Sequence, residues 1–529
     1  MFADDADERL SRRVHAATIR RSPIHPPAAV CWDRRVRQLT SLDAQFLAIE
    51  NNRQTGHVGG VAVLDPTTVP GGAALDYERI NQLLVSRLPL LPPLRWRLAE
   101  VPLGLDYPYW VDDTDFDLEY HLRELALPAP GNDAQLAEQV ARIMSRPLDR
   151  NRPLWEMYVV SGLESGNVAL LTKIHHALID GLSGAEILGI LLDLDQNGRE
   201  VEQKRQAPLR APGTLEMLGR AALSLPRYPW RVISSAPAVL RNLPDTQYRP
   251  LPAVKQIDQL VGLVGDAVGG LLGRPRPRVV RTELKAPMTS FNGRLSPHRR
   301  FAFSDLPLDR VKALKDTYGC TVNDVVVTLC ASAVRRWLTE HDQLPADPLV
   351  AQIPVSVRTS SQMGTYGNRI LLLGAPLFTN EADPVRRLER TMHALRDLKT
   401  RHQALPATLL QDANNFVPPS LFSRAAGSIF SLAASGTVRP VWNLVISNVP
   451  GPQFPLYCAG ARLVAQYPVS VITDAMGLNI TVMSYYGKLC VGIIADRDQV
   501  KDIWCLTEWL RDALDELEEH AHQGAAVSA

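Results

Sequence analysis

One feature constrains the architecture of this chain more than any other: an apolar segment that ends directly on a pair of histidines. Val168 to Ile174 reads as a buried strand, and His175-His176-Ala177-Leu178-Ile179-Asp180-Gly181 follows it without a break. Two residues later, Ser183-Gly184-Ala185-Glu186 has the Ser-x-x-Glu form of a capping box, opening a helix predicted over 185 to 192 with Ile187, Leu188, Ile190 and Leu191 as its apolar positions. The histidines therefore sit on a strand-to-loop-to-helix junction, where a rigid scaffold presents a side chain to a cleft. Neighbours on a strand face opposite sides, so only one of the pair faces a given cleft. His176 is assigned that place, with His175 in support behind it.

A chain of 529 residues is too long for a single core, and two domains are expected. Residues 1 to 36, rich in arginine and proline and without apolar periodicity, read as a loosely ordered extension. The first domain is expected over 37 to 200. It has a strand at His57 to Leu64, helices at 77 to 88 and 134 to 146, and strands at Trp155 to Val160 and Val168 to Ile174. Prolines recur through 201 to 290, which reads as a helical crossover. Within it, Gln256 to Gly273 carries Leu260, Val261, Val264, Val268 and Leu271 on one face.

The second domain is expected over 291 to 518. A helix begins after Thr321, whose Thr-Val-Asn-Asp sequence makes another capping pattern, and Val322, Val325, Val326, Leu329, Ala333 and Trp337 form its buried stripe. Strands follow at 350 to 357 and 369 to 374, then a helix at 383 to 402. Leu463 to Ala495 alternates as strands do, turning at Tyr486-Gly487-Lys488. A last helix is expected over 498 to 518, leaving 519 to 529 as a flexible tail.

Composition removes several classes of function. Lysine plus arginine number 57 against 56 acidic residues, so no global field recruits nucleic acid. Six cysteines, at 31, 320, 330, 458, 490 and 505, contain no Cys-x-x-Cys pair and read as reduced, mostly buried thiols. The start, Met-Phe-Ala-Asp-Asp-Ala-Asp-Glu-Arg, is acidic where a signal peptide needs a basic segment, and no uninterrupted apolar run reaches the ~18 residues of a spanning helix. A cytoplasmic protein is expected, with room for peripheral contact with the inner membrane face or a lipid droplet.

The histidine pair has a specific chemical use. When an alcohol attacks a thioester it must lose its proton, and an imidazole with a pKa near ~6.5 can take that proton and return it to the departing thiolate. No covalent enzyme intermediate is then required. Metal binding is the rival use of paired histidines, but two adjacent strand histidines cannot both reach one ion and no Glu or Cys stands at ligand spacing, so no metal is expected. Asp180 has two readings. It can orient the histidine as in a triad, or brace the loop against an arginine, and its place on the turn beside Gly181 favours the brace. Arg358, in Pro354-Val355-Ser356-Val357-Arg358, is the expected partner, against the alternative that both charges are solvated.

Several separated motifs together resemble the bacterial wax ester synthase/acyl-CoA:diacylglycerol acyltransferases, over about residues 38 to 515. They are Leu42-Asp43-Ala44-Gln45-Phe46-Leu47 with His57-Val58-Gly59, although Gly56 stands where that family usually has methionine, and Pro153-Leu154-Trp155. To these add His175-His176 through Asp180-Gly181, Ser296-Pro297-His298-Arg299-Arg300, Asn323-Asp324-Val325-Val326, and Ser447-Asn448-Val449-Pro450-Gly451-Pro452. The histidine motif alone is shared with peptide condensation domains and other acyltransferases; the combination is narrower.

The resemblance implies an α/β fold of two coenzyme A-dependent acyltransferase-like domains, mixed sheets flanked by helices, with a tunnel between them. It implies His176 as the base, long-chain acyl-CoA as co-substrate with no permanently bound cofactor, and diacylglycerol or a long-chain alcohol as acceptor. Asn323 and Asp324 at a helix start, and Ser447 and Asn448 before the Pro-Gly-Pro turn, become candidates for positioning the acceptor or an oxyanion. Local hydrogen bonding at the helix start is the alternative for the first two. Trp155 reads as a core anchor. Arg299 and Arg300 can meet the donor's phosphates, with solvated charge as the default. Gln256 to Gly273 is a candidate lipid-docking face. Two other readings stand beside this one: a condensation-type enzyme taking a carrier-bound acyl donor, and a non-catalytic lipid-binding relative.

Overall fold

A computed structural model of the protein describes residues 37–179, 184–200, 209, 212–224, 286–356, 370–403, 434–436 and 439–528. The extension 1 to 36, Asp180, Gly181, Ser183, Gln256 to Gly273 and Arg358 lie outside the described residues.

In chain order the strands are β1 (Arg37–Gln38), β2 (His57–Asp65), β3 (Trp96–Ala99), β4 (Tyr109–Asp112), β5 (Leu122–Ala126), β6 (Trp155–Ser161), β7 (Val168–His175), β8 (Arg299–Pro307), β9 (Val350–Ser356), β10 (Ile370–Pro376), β11 (Leu444–Val449), β12 (Tyr457–Cys458), β13 (Ala461–Val469), β14 (Leu478–Tyr485) and β15 (Lys488–Asp496). The helices used below are α1 (Ser41–Ala48), α2 (Tyr77–Arg87), α3 (Asp133–Met144), α4 (His176–Ile179), α5 (Gly184–Leu191), α6 (Leu308–Tyr318), α7 (Val322–Glu340), α8 (Pro384–Gln403) and α9 (Ile503–Ser528).

Two six-stranded mixed sheets dominate. The first runs β12-β13-β2-β7-β6-β5 and is antiparallel except for the β5/β6 pair. The second runs β10-β9-β11-β14-β15-β8, with β11 parallel to both of its neighbours. A small third sheet has the order β1-β4-β3.

Strands β12 and β13 come from late in the chain yet pair in the first sheet, against β2. This exchange ties the two halves together. Where β13 crosses β15 the backbones approach so closely that a Cβ on Gly492 would lie 1.8 Å from the Pro468 carbonyl oxygen, a position open only to glycine. The exchanged segment is anchored further by Asp193, just after α5. Its backbone bonds Tyr457 in both directions, at 2.7 and 2.9 Å, while both carboxylate oxygens accept from the buried Arg87 at the end of α2 (2.8 and 2.9 Å).

The second half is built around α7. Thr321 caps it through a reciprocal box with Asp324; of the predicted stripe, Val325, Val326, Leu329, Ala333 and Trp337 are buried and Val322 is half-buried. Burial extends beyond that stripe to Val327, Thr328, Cys330, Ala331 and Val334, because α7 packs against α8, α9 and the sheet together. The β14–β15 hairpin turns on Tyr486 and Gly487 alone, both at positive φ (41° and 81°), and Lys488 already belongs to β15. Two positive-φ residues match the right-handed twist of the flanking strands. Helix α9 starts five residues later than expected and continues to Ser528, so the segment read as a flexible tail is helical, as its alanines permit. Five described cysteines are free, three of them buried. No single helix among the described residues is long and apolar enough to cross a membrane.

Candidate active site

Strand β7 ends at His175 because the chain is caught there on both sides. The His175 N–H donates to Leu154 O at 2.9 Å, and the His176 N–H donates to Gly56 O at 2.8 Å. The short helix α4 then begins at His176 itself. Leu154 belongs to the Pro-Leu-Trp motif and Gly56 immediately precedes β2, so two of the separated motifs meet the histidine pair through backbone bonds.

The ring of His176 lies flat on Phe46 of α1, with centroids 3.8 Å apart and planes 15° from parallel. It keeps part of its surface exposed, whereas His175 is 1% exposed. Burial, then the neighbouring His175, lower the His176 pKa to about 4. A ring held there is neutral at cellular pH and able to accept a proton.

His175 is held differently. Its Nδ1 accepts from the Ala177 N–H (3.1 Å) and its Nε2 lies 3.2 Å from Glu50 Oε1. Glu50 also accepts from the Gly56 N–H (2.8 Å) and from Arg150 Nη2 (2.9 Å). Burial alone would raise the Glu50 pKa; the contact with His175, with the Gly56 and Arg150 bonds, outweighs it and holds the carboxyl at about 2. Gly56 sits at the centre of this arrangement. A Cβ there would come within 2.8 Å of Phe46 O and 2.9 Å of His175 Nε2.

Behind the histidines, further polar groups brace the strand. His57 stands opposite His175 across the β2/β7 ladder and bonds Met144 O at 2.6 Å. Burial, then the nearby Lys173, keep its pKa well below the usual range. Lys173 is completely buried and donates to the carbonyls of Ile143 and Arg146 (3.0 and 2.6 Å) at the C-terminal end of α3, where a cation complements the helix dipole. Burial lowers its pKa to about 8 against the opposing pull of Glu156, 3.5 Å away.

The sequence candidates fall into groups. Asn448, on β11, donates to Asn323 Oδ1 at 3.4 Å, so the Asn-Asp and Ser-Asn-Val-Pro-Gly motifs meet in the second half. Ser447, also on β11, pairs with Thr481 of β14. The Asp324 carboxylate is engaged by the Thr321 N–H and hydroxyl, both at 2.8 Å, as the cap requires. Trp155 is a core anchor, as expected: its indole donates to Leu94 O (2.7 Å) and stacks on His121 at 4.6 Å.

Arg299 departs from expectation. It is buried, donates to the backbone oxygens of Ser296 (2.8 Å), His298 (3.0 Å) and Arg53, and faces Asp496 at 3.8 Å. Its guanidinium fastens the second half to the loop before β2, so it acts as a structural clamp, although it also lies on the wall of the cleft beside Arg300. Arg300 is exposed, on a cleft of about 680 Å³ that it shares with Arg146 and Arg497 over an apolar floor of Ala137, Ala141 and Trp504. Sequence reasoning missed Glu50, Arg150 and the stacking role of Phe46. Of these only Phe46 lay within a recognised motif.

Comparison with known proteins identifies the family. The chain matches the wax ester synthase/diacylglycerol acyltransferase catalytic domain over residues 39–326 and the C-terminal domain of the same family over residues 366–518. It therefore belongs to the wax ester synthase/diacylglycerol acyltransferase family. It is 36% identical over 501 residues to a putative diacylglycerol O-acyltransferase of Mycobacterium tuberculosis, covering 94% of this chain and 93% of that protein. It is 32% identical over 472 residues to the O-acyltransferase WSD of Acinetobacter baylyi, covering 88% and 93%. Among solved structures, a wax ester synthase/diacylglycerol acyltransferase from Marinobacter aquaeolei superimposes with a TM-score of 0.64 at 30% identity, covering 92% of this chain and all of that one.

Proposed function

We propose that this enzyme is an O-acyltransferase that moves a long-chain acyl group from acyl-CoA to diacylglycerol, and to long-chain alcohols, with His176 as general base. One observation carries the assignment of the base. At the end of β7 stands an imidazole that is neutral, partly exposed and fixed by stacking, in a chain belonging to a family of acyltransferases.

The acceptor hydroxyl gives its proton to the His176 ring as its oxygen attacks the thioester carbonyl. A C–O bond forms and the carbonyl oxygen carries the negative charge. The C–S bond then breaks, the imidazolium returns its proton to the departing thiolate, and ester and free coenzyme A leave. Base help of this kind is typically worth about 10² to 10⁴ in rate. The paired amides of Asn323 and Asn448 are suited to hold the oxyanion or the acceptor. The cleft lined by Arg146, Arg300 and Arg497 supports a place for the anionic end of the donor.

The family membership weighs against a carrier-bound donor and against a non-catalytic role. Peripheral contact with a membrane or lipid droplet belongs to this proposal because both acceptors are lipids. Incubating the purified protein with palmitoyl-CoA and following thiol release tests the assignment. Release is expected only on adding diacylglycerol or hexadecanol, and acceptor-independent release, or none with either, contradicts it.

A further inference from the structure

We infer that Glu50 is a positioning residue of the reaction, setting through the ring of His175 the backbone turn that presents His176. The inference rests on His176 being the base, and it begins with the tautomer of His175. An imidazole nitrogen accepts a hydrogen bond only when it carries no proton. Because Nδ1 accepts from the Ala177 N–H, the proton of the neutral ring is on Nε2, the atom 3.2 Å from Glu50 Oε1. The Ala177 N–H therefore sets the tautomer, and the Glu50 carboxylate lies against the protonated edge of the ring.

Ala177 is the second residue of α4, and the first N–H groups of a helix have no partner within it. The His175 ring supplies the missing acceptor and acts as a side-chain cap. A proton on Nδ1 would turn that acceptor into a donor facing another donor, and the first turn would lose its hold.

The same carboxylate oxygen reaches His176 by a second route. Oε1 accepts the Gly56 N–H at 2.8 Å, and the Gly56 carbonyl accepts the His176 N–H at 2.8 Å. The peptide units on both sides of the His176 Cα are thus held by groups that meet at one oxygen of Glu50. The other oxygen is held by Arg150 at 2.9 Å.

The loop carrying Glu50 is itself fastened from the second half of the molecule. Arg299 donates to Arg53 O, and the Asp474 N–H donates to Gln54 Oε1 at 2.9 Å. The position of the base is consequently set by both halves, with Glu50 as the junction. Misplacing a reacting group by about 1 Å can cost about 10² in rate.

The test is steady-state kinetics of Glu50→Ala, Glu50→Gln and His176→Ala, with a thermal melt of each. Gln keeps an oxygen for the Gly56 and His175 N–H groups while losing the charge. Glu50→Ala is expected to lower kcat about 10²-fold, with KM for acyl-CoA and acceptor within about twofold of wild type. Glu50→Gln should recover to within about tenfold. A folded Glu50→Ala protein with unchanged kcat overturns the inference, and so does a loss in which KM rises in proportion or Gln rescues nothing. Should Glu50→Ala fail to fold, Gly56→Ala disturbs the same junction from the other side and is expected to lower kcat with KM unchanged; wild-type kcat there overturns the inference equally. The two levels separate cleanly: full activity of His176→Ala removes the base, whereas an inactive His176→Ala beside a fully active Glu50→Ala removes only the role given to Glu50.

Discussion

The pH at which the enzyme loses its base follows from how His176 is housed. Burial and the adjacent His175 bring its pKa from the ordinary 6.5 to about 4, and a general base works only while unprotonated. Lowering the pKa therefore extends activity toward acid. At about pH 5.5 a group with pKa about 4 is about 97% neutral, whereas an unperturbed imidazole would be only about 9% neutral. Glu50, held at about 2, stays charged throughout that range and adds no limb of its own.

The assay is kcat/KM for acyl-CoA at saturating acceptor from about pH 4 to about pH 8, since that ratio reports the free enzyme. An acid limb centred near about pH 4 is expected, and a midpoint between about 6 and about 7 refutes the account of the site. Stability moves in the same region and must be controlled. Because the folded-state pKa of His176 lies below the unfolded value, the unfolded chain takes up the proton first. Stability is then lost as pH falls from about 6.5, levelling off below about 4 at a loss of about 3 kcal/mol. Samples held at acid pH and assayed after return to about pH 7.5 separate reversible protonation from unfolding.

Three further substitutions separate the joining of the halves from ligand binding. Gly492→Ala puts a Cβ where the Pro468 carbonyl stands, at the crossing of β13 and β15, and is expected to leave little folded protein; a melting curve like that of wild type contradicts the crossing. Arg299→Met removes a buried guanidinium that holds the loop before β2, and should destabilise by about 3 kcal/mol in urea unfolding with KM for acyl-CoA unchanged. Arg300→Ala should do the reverse, and an elevated KM in the Arg299 variant would return that residue to a ligand-binding role.

What the sequence made legible were elements whose apolar pattern is long and regular. Strand β7, the capped helix α7 and the turn at Tyr486-Gly487 announce themselves through burial, capping and turn chemistry that act within a few residues. Strands β3 and β4 are only four residues long, β5 is nearly half charged, and β8 opens with Arg299-Arg300, so none offers a long alternating pattern. No local rule could show that β13 pairs with β2, because the pairing is settled by which edge of which sheet is open. The histidine pair was visible as a motif, and its place at the end of a strand followed. Glu50 was not visible, since its meaning lies in His175 and Arg150, which are far along the chain and meet it only after β2 and β7 have paired. Arg299 shows the opposite case, a basic residue in a basic run whose burial, unreadable locally, makes it a clamp.

The central claim is that the His176 imidazole is the base in transfer to a hydroxyl, and replacement of that ring tests it most directly. Diacylglycerol-dependent release of coenzyme A from palmitoyl-CoA should fall at least about 10²-fold in His176→Ala, with a melting temperature like that of wild type. Undiminished release from the folded variant would contradict it.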